Sequence, residues 1–476
     1  MKVKTIKAKI IVTIGPKSQQ PEIIESLIRA GADVFRLNFS YGTYKEHQEN
    51  IKNIRKLSKK VGKDVSILQD LQGPKIRLGE IAGNSVRLNK GQKFVIKAEK
   101  VNGNERQASI TSPEIIEDIK PGELIFINDG LIKLKVKKST SREIITEVIA
   151  GGEITSHQGV NFPQSKLSLR AFTEKDKQDL VFGLENGVDL IGLSFVKSRD
   201  DLHHFKEFMR STGKRVPVVA KIEKWEAVQN LEEIVTEAEA LMVARGDLGV
   251  ELPVEKVPII QKKIIALARA QGKPVITATQ MLNSMIKNPV PTRAEVNDIA
   301  NAILDGTDAV MLSNETAVGN YPVESVKMMR KIIYETENSE IFKSLMSQII
   351  EPAEISIPEA ISYSIKNTAS RVKASLILTA TETGRTAAII SKYRPGLPIF
   401  ALTPRRETLR FLNLTWGVFP FLVKRFKSVD EILRKGPRIA EEAGFLRPSD
   451  IYFITCGTHT GILGSTNLFK VDIYND

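Results

Sequence analysis

The sequence predicts a (β/α)8 barrel with an inserted small β-barrel domain and a C-terminal open-sheet α/β domain. Three observations predict it. Short β-branched apolar runs alternate with amphipathic stretches up to about residue 339, the pattern is broken between 75 and 169, and an alternation of helices and strands begins again after Ser339. A chain of 476 residues is also too long for a single hydrophobic core, so two or three domains are expected.

The barrel strands are expected at Ala8–Ile14, Val34–Ser40, Val65–Leu71, Leu190–Phe195, Val216–Glu223, Ala240–Asp247, Pro274–Met281 and Ala309–Glu315. Their interiors are apolar and β-branched, as in strands covered on both faces. Helical spacing lies between most of them, as in Ile23, Ile24, Leu27 and Ile28, or in Val296, Ile299, Ala300 and Ile303, which stops at Gly306. Eight such strands with helical crossovers make a closed parallel barrel the simplest solution. After the third strand the pattern turns to β. Leu124–Asn128 and Leu131–Lys137 flank Asp129-Gly130, and helical spacing resumes only near Thr173. The last unit places strands at Leu376–Thr379, Ile399–Thr403, Val418–Leu422 and Ile451–Thr455. The expected domains are therefore 1–74 with 170–339, 75–169, and 340–476.

Composition excludes several classes. No apolar run reaches the roughly 20 residues of a membrane span. Met1 to Lys9 carries lysines but no apolar stretch suited to a signal peptide, and the single Cys456 excludes an intrachain disulfide or a Cys-rich zinc site. These points favour the cytoplasm and no membrane partner. A net charge of +13 suits a lysine-rich surface or attraction of phosphorylated metabolites. The basic residues are spread along the chain without an arginine block or interleaved aromatics, which argues against nucleic acid.

Chemistry is expected at the carboxyl ends of the barrel strands. The fifth ends Lys221-Ile222-Glu223, with Lys221 and Glu223 on one side of the strand. A cation and a carboxylate in an apolar run are costly unless paired or bound to ligand. The pair reads either as a structural ion pair or as a phosphate-directed Lys beside a metal-directed Glu. The sixth strand runs into Arg245-Gly246-Asp247, where Asp247 offers a second hard oxygen for Mg²⁺ and Gly246 lets a ligand approach the backbone. An adhesion reading of that Arg-Gly-Asp is weak, because the triplet closes an apolar strand. The second ends Arg36-Leu37-Asn38-Phe39-Ser40, where Arg36, Asn38 and Ser40 share a face by the period of two and Arg36 suits a phosphate clamp. The seventh and eighth bring Thr277, Thr279, Ser313 and Glu315, hydroxyls and a carboxylate that could relay a proton.

Taken together, Ile14-Gly15-Pro16, Arg36 to Ser40, Gly73-Pro74-Lys75-Ile76-Arg77, Lys221-Ile222-Glu223, Val243 to Gly249, Ala278 to Leu282 and Met311 to Ala317 closely resemble pyruvate kinase. The resemblance covers essentially the whole chain in order. It implies transfer of the phosphoryl group of phosphoenolpyruvate to ADP, giving pyruvate and ATP, the last step of glycolysis. It further implies a lid domain, a regulatory C-terminal domain, a homotetramer, and Mg²⁺ (or Mn²⁺) held by Glu223 and Asp247. On the same footing, Lys221 stabilises the phosphoryl group in flight and Arg36 contacts it from the other side. Gly246 and Thr279 hold the carboxylate, and Asn38 and Arg77 meet the nucleotide phosphates. Thr279, Ser313 and Glu315 line the proton route.

Some positions depart from the commoner family pattern. Tyr41 stands where many relatives have histidine, and Asn314 where glycine is frequent. His157 or Gln158 replaces a basic ATP contact. The monovalent-cation pocket of most relatives matches Asn38, Ser40, Asp70 and the Leu71 carbonyl, but this chain reads Asp70-Leu71-Gln72-Gly73-Pro74-Lys75, with Lys75 in place of Glu. That resembles the potassium-independent branch, so K⁺ is expected not to be required, with Lys75 supplying the charge and Asp70 and the substrate phosphate offsetting its burial. A phosphorylated effector is expected at Thr379, Thr381, Thr383, Gly384, Arg385 and Thr386, a hydroxyl-rich turn between a strand and a helix start. The competing readings are another phosphoenolpyruvate- or pyruvate-handling barrel, such as an aldolase or mutase, and a basic binding protein on an inactive barrel. Lys221 two before Glu223, with Arg36 opposite, favours transfer to ADP.

Overall fold

The computed structural model describes residues 5–163, 165–348, 355–457 and 466–475; Met1–Lys4, within the lysine-bearing start, lie outside them. Eight parallel strands close into a TIM barrel: β1 (Lys9–Ile14), β2 (Val34–Asn38), β3 (Ser66–Asp70), β4 (Leu190–Leu193), β5 (Val218–Ile222), β6 (Ala240–Ala244), β7 (Val275–Ala278) and β8 (Ala309–Leu312). Closure is made by β8 on β1, with Ala309 opposite Lys9. Ile11, Val34, Leu68, Leu190, Val219, Met242, Ile276 and Met311 fill the interior together, so the barrel is a packed core and not a pore. The alternate residues pack outward on the helices, which explains the near-continuous apolar strands.

Strand interiors match the expectation, but their carboxyl ends are shorter. β6 stops at Ala244, and Arg245–Glu251 turns into a helix with Asp247 in its first turn. β8 stops at Leu312, and Glu315 lies in the short helix Asn314–Ala317. β2 stops at Asn38, so Ser40 sits in a turn and the period of two does not reach it. At β2 and β8 a polar side chain bonds the local backbone in place of the ladder, Asn38 Oδ1 accepting the Ser40 N–H and Glu315 the Ser313 N–H.

The inserted segment has its own core, with Phe94, Ile125, Leu134, Ile144 and Phe162 among its buried members. It builds a six-stranded sheet and a two-stranded one. The hairpin between Leu124–Ile127 and Ile132–Ser139 turns through Asn128, Asp129 and Gly130, all at positive φ. The C-terminal sheet runs in the order Val418–Leu422, Ile399–Thr403, Leu376–Ala380, Ile451–Gly457, Thr466–Ile473. The last strand is antiparallel and was not expected. As a half-exposed edge it carries polar residues and lacks the buried-strand signature. This unit docks on the barrel floor through Leu414, which joins the barrel's inner core, and through Trp416. Among the described residues no helix is long and apolar enough to cross a membrane.

Candidate active site at the barrel mouth

Four charged residues from three strands form one chain at the carboxyl end of the barrel. Arg36 Nε donates to Asp70 Oδ2 at 2.7 Å, and its other nitrogen donates to Thr13 Oγ1 at 3.1 Å. Asp70 Oδ1 faces Lys221 Nζ at 3.1 Å, and Lys221 meets Glu223 Oε1 at 2.7 Å. Adjacent parallel strands deliver this: Asn38 on β2 is the register partner of Asp70 on β3. Two further groups complete the chain. Ser194 Oγ accepts from Lys221 and donates to the Leu71 carbonyl, each at 2.7 Å. The Phe195 N–H, from a residue at φ 57, donates to Glu223 Oε2 at 2.9 Å.

The electrostatics follow from burial. Desolvation pushes the Lys221 ammonium down, but Asp70, Glu223 and Asp247 outweigh it and hold its pKa above the usual range. Burial would raise Asp70, and Lys221 and Arg36 overcome it and lower it. Glu223 goes the other way: burial raises it, and the charge of Asp247 adds to that against Lys221. Two carboxylates thus repel across the mouth, a conflict a divalent cation relieves.

Thr279 and Gly246 are joined, with the Gly246 N–H donating to Thr279 Oγ1 at 2.8 Å. Thr279 holds φ at 68°, and Arg245 fixes that turn by donating to the Ala278 and Thr279 carbonyls and pairing with Asp298 at 2.7 Å. Glu315 is buried, and its oxygens accept the N–H groups of Leu282 and Ser313, so it bonds backbone. Ser313 Oγ is buried without a partner among the described residues.

A cleft between barrel and insert is lined by Lys75, Asp129 and Asn161 on one side and by Phe195, Lys224 and Asp247 on the other.

The comparisons agree with this geometry. The family model for the pyruvate kinase barrel domain matches residues 5–326, and that for the pyruvate kinase alpha/beta domain matches 359–472. Pyruvate kinase 2 of Synechocystis is 46% identical over 98% of this chain and 79% of its own length. The pyruvate kinase of Staphylococcus aureus is 43% identical over 99% of this chain and 81% of its own. The crystal structure of a pyruvate kinase from Cryptosporidium parvum superposes with a TM-score of 0.91 at 35% identity, covering 98% of this chain and 96% of that one.

The chain belongs to the pyruvate kinase family. Its reaction is transfer of the phosphoryl group of phosphoenolpyruvate to ADP, giving pyruvate and ATP. Pyruvate kinases generally use Mg²⁺. The residues present fit such an ion: Glu223 and Asp247 are close enough to raise Glu223, and Asp247 lines the cleft with no hydrogen bond or ion pair among the described residues. Sequence reasoning missed Thr13, Ser194 and Phe195. Neither a lone threonine nor a Ser-Phe pair at a strand end carries a charge to attract notice.

One expectation about this pyruvate kinase needs correction. Asp70 does not pair with Lys75: its ion pairs are with Arg36 through Oδ2 and with Lys221 through Oδ1, which makes no hydrogen bond among the described residues. Lys75 is half-buried, forms no ion pair among the described residues, and lines the cleft with Asp247. On the insert, Arg77 donates to the His157 carbonyl at 3.1 Å, His157 pairs with Glu80 at 3.0 Å, and Gln158 turns away to accept the Thr155 N–H. In the C-terminal loop, Thr381 Oγ1 accepts the Gly384 N–H, Gly384 (φ 83) starts the helix Arg385–Lys392, and Thr386 bonds Thr466 at 2.6 Å. Thr383 and Arg385 are exposed, and Thr379 is buried with its hydroxyl unpartnered among the described residues.

Proposed function

We propose that the division of labour within this reaction follows the charged chain at the barrel mouth. Lys221 and Arg36 flank the phosphoryl group in flight, spreading its charge where metaphosphate-like character develops. Glu223 and Asp247 hold Mg²⁺, which when bound neutralises substrate oxygens. The Gly246 N–H and Thr279 orient the substrate carboxylate, Asn38 and Arg77 meet the nucleotide phosphates, and Thr279, Ser313 and Glu315 border the proton route to the enolate carbon. Residues 75–169 act as a lid on the 1–74 and 170–339 barrel, and 340–476 as a regulatory domain, in a cytoplasmic homotetramer. The observation that carries this reading is the ion-paired run Arg36–Asp70–Lys221–Glu223, with Asp247 facing it unpaired. An ATP-linked assay with phosphoenolpyruvate and ADP, with Mg²⁺ titrated, tests it; activity retained by Arg36→Met and Lys221→Met would overturn it.

Potassium is not required in this reading. The support is Lys75, a free ammonium among the described residues beside the cleft, where most relatives have a carboxylate. Turnover in sodium- and potassium-free buffer with an organic counter-ion should match that with K⁺, and Lys75→Glu should create a K⁺ requirement. A phosphorylated effector is assigned to the loop Thr379 to Thr386. The support is its hydroxyls at a helix start, next to a groove lined by Lys424, Arg425, Arg434 and Lys435 together with Asp430 and Glu431, in which Arg425 pairs with Glu382 and Lys435 with Glu431. Sugar phosphates and nucleoside monophosphates that leave activity and Tm unchanged would remove that assignment.

A further inference from the structure

The inserted segment is joined to the barrel by two single connections. It leaves at Gly73 and returns at Thr173, which caps the helix Glu174–Glu185. Gly73 is seated tightly: its φ is 68°, and an added Cβ would lie 2.6 Å from the Phe195 ring and 3.1 Å from Ser194 Cβ. One carboxylate touches both connections. Asp176 Oδ2 accepts the Thr173 N–H at 3.0 Å and its hydroxyl at 2.6 Å, while Oδ1 accepts the Gly73 N–H at 3.1 Å. Asp176 is fully buried. A capping box accounts for the Oδ2 contacts, since an N3 acid reaches back to its cap. It does not account for Oδ1, which is committed to a residue 103 positions earlier in the chain.

We propose that Asp176 is a positioning residue for the reaction, a clasp that fixes the outgoing and returning connections of segment 75–169 so that it meets the barrel mouth in one register. Hydrogen bonds to an ionised acceptor are the stronger kind, and a pivot through a positive-φ glycine needs such a constraint. Lys75 stands two residues beyond the clasped amide and lines the cleft opposite Asp247, so a slipped hinge misplaces it directly. The proposal rests on the reading of 75–169 as a lid that contacts nucleotide. The residues assigned to phosphoenolpyruvate (Arg36, Lys221, Thr279) all lie on the barrel. Loss of the clasp therefore acts first on ADP, through Arg77 and the rest of the insert, and reaches phosphoenolpyruvate only through Lys75.

Steady-state kinetics on the full chain test this. Asp176→Ala should raise KM for ADP about tenfold and leave KM for phosphoenolpyruvate within about twofold. Thr173→Ala weakens the same helix start but keeps the Gly73 contact; it should lower Tm without moving KM for ADP. If both variants lower Tm and neither moves KM for ADP, Asp176 is a helix cap only and the clasp is wrong. Arg77→Ala separates the two layers. A raised KM for ADP there, with none in Asp176→Ala, keeps the lid and removes the clasp; no change in either removes the lid and the clasp with it. Should Asp176→Ala not fold, hydrogen exchange of the wild-type chain decides. The Gly73 amide is expected to be as protected as that of Leu71, and exchange at the rate of exposed loops in 75–169 would overturn the proposal.

Discussion

Buried charge collects at both ends of the barrel, and the two clusters use the same residue types for opposite purposes. At the floor, Glu337 accepts from the N–H groups of Lys7 and Ala8 and from Trp416 Nε1. Asp308 accepts from Val275 and Trp416 N–H groups and pairs with Arg394, which also donates to the Gly306 and Ser391 carbonyls. At the mouth, Glu223 has only Lys221 and one N–H, and Asp247 faces it across the cleft. Burial raises the pKa of Glu337 and of Glu223 alike. A shifted carboxylate therefore does not mark a catalytic site by itself. What separates the ends is that the floor's carboxylates, Glu337 and Asp308, have every oxygen engaged by the protein, whereas the mouth keeps capacity for a ligand.

The largest expected effect sharpens that contrast. Lys221→Met should cut ATP formation per folded molecule by about 10⁴-fold, the scale of losing a cation from a phosphoryl-transfer site, and should also lower the Tm, because Asp70 and Glu223 lose their shared cation, without unfolding the chain at assay temperature. ATP-linked turnover and thermal melting on one preparation check both halves. A mutant that unfolds with its activity would make the mouth as structural as the floor.

The converse is Glu337→Ala. It strands three donors and should cost about 4 kcal/mol of stability, while kcat per folded molecule holds. Urea unfolding beside turnover decides it, and a selective loss of kcat with normal stability would break the comparison. Next in size, Glu223→Gln and Asp247→Asn should each raise the half-saturating Mg²⁺ concentration by roughly 10- to 100-fold. Unchanged titrations in both would return them to the structural class.

These differences were only partly legible in the sequence. The barrel was legible because eight apolar runs and their helical crossovers repeat one pattern, and Lys221, Glu223 and Arg36 stood out as charges against it. Where the strands stop was not legible: Arg245-Gly246-Asp247 reads as a strand end, yet its backbone turns helical at once. Ser194 and Phe195 were invisible because they act through a hydroxyl and a backbone N–H, which any strand end might offer. Lys75 stood out as a charge in the string after Asp70, but a linear string could not show that Asp70 pairs with Arg36 and Lys221. The floor's Glu337, Asp308 and Arg394 went unremarked, since pairing across more than 70 residues has no local signature.

The smallest effect concerns Lys9, a buried cation of the floor. Its ammonium is buried, donates to the Val418 carbonyl at 2.5 Å and lies over the Phe419 ring. Burial lowers its pKa to about 8; Asp33, Glu337 and Asp308 pull it up and Lys63 pushes it down. The unfolded chain, with its lysine near 10.5, therefore binds more protons than the folded one between those values. Stability contributed by this group rises with pH through that window and is lost again as pH falls through about 8. Between pH 8 and pH 9 the gain should be about 1 kcal/mol. Lys9→Met removes the titration, so unfolding free energies of wild type minus mutant, measured across that interval, isolate it from every other group. A flat difference would mean that the Val418 carbonyl and the floor carboxylates fully offset the burial of Lys9, and that burial at the floor leaves its charge undisturbed.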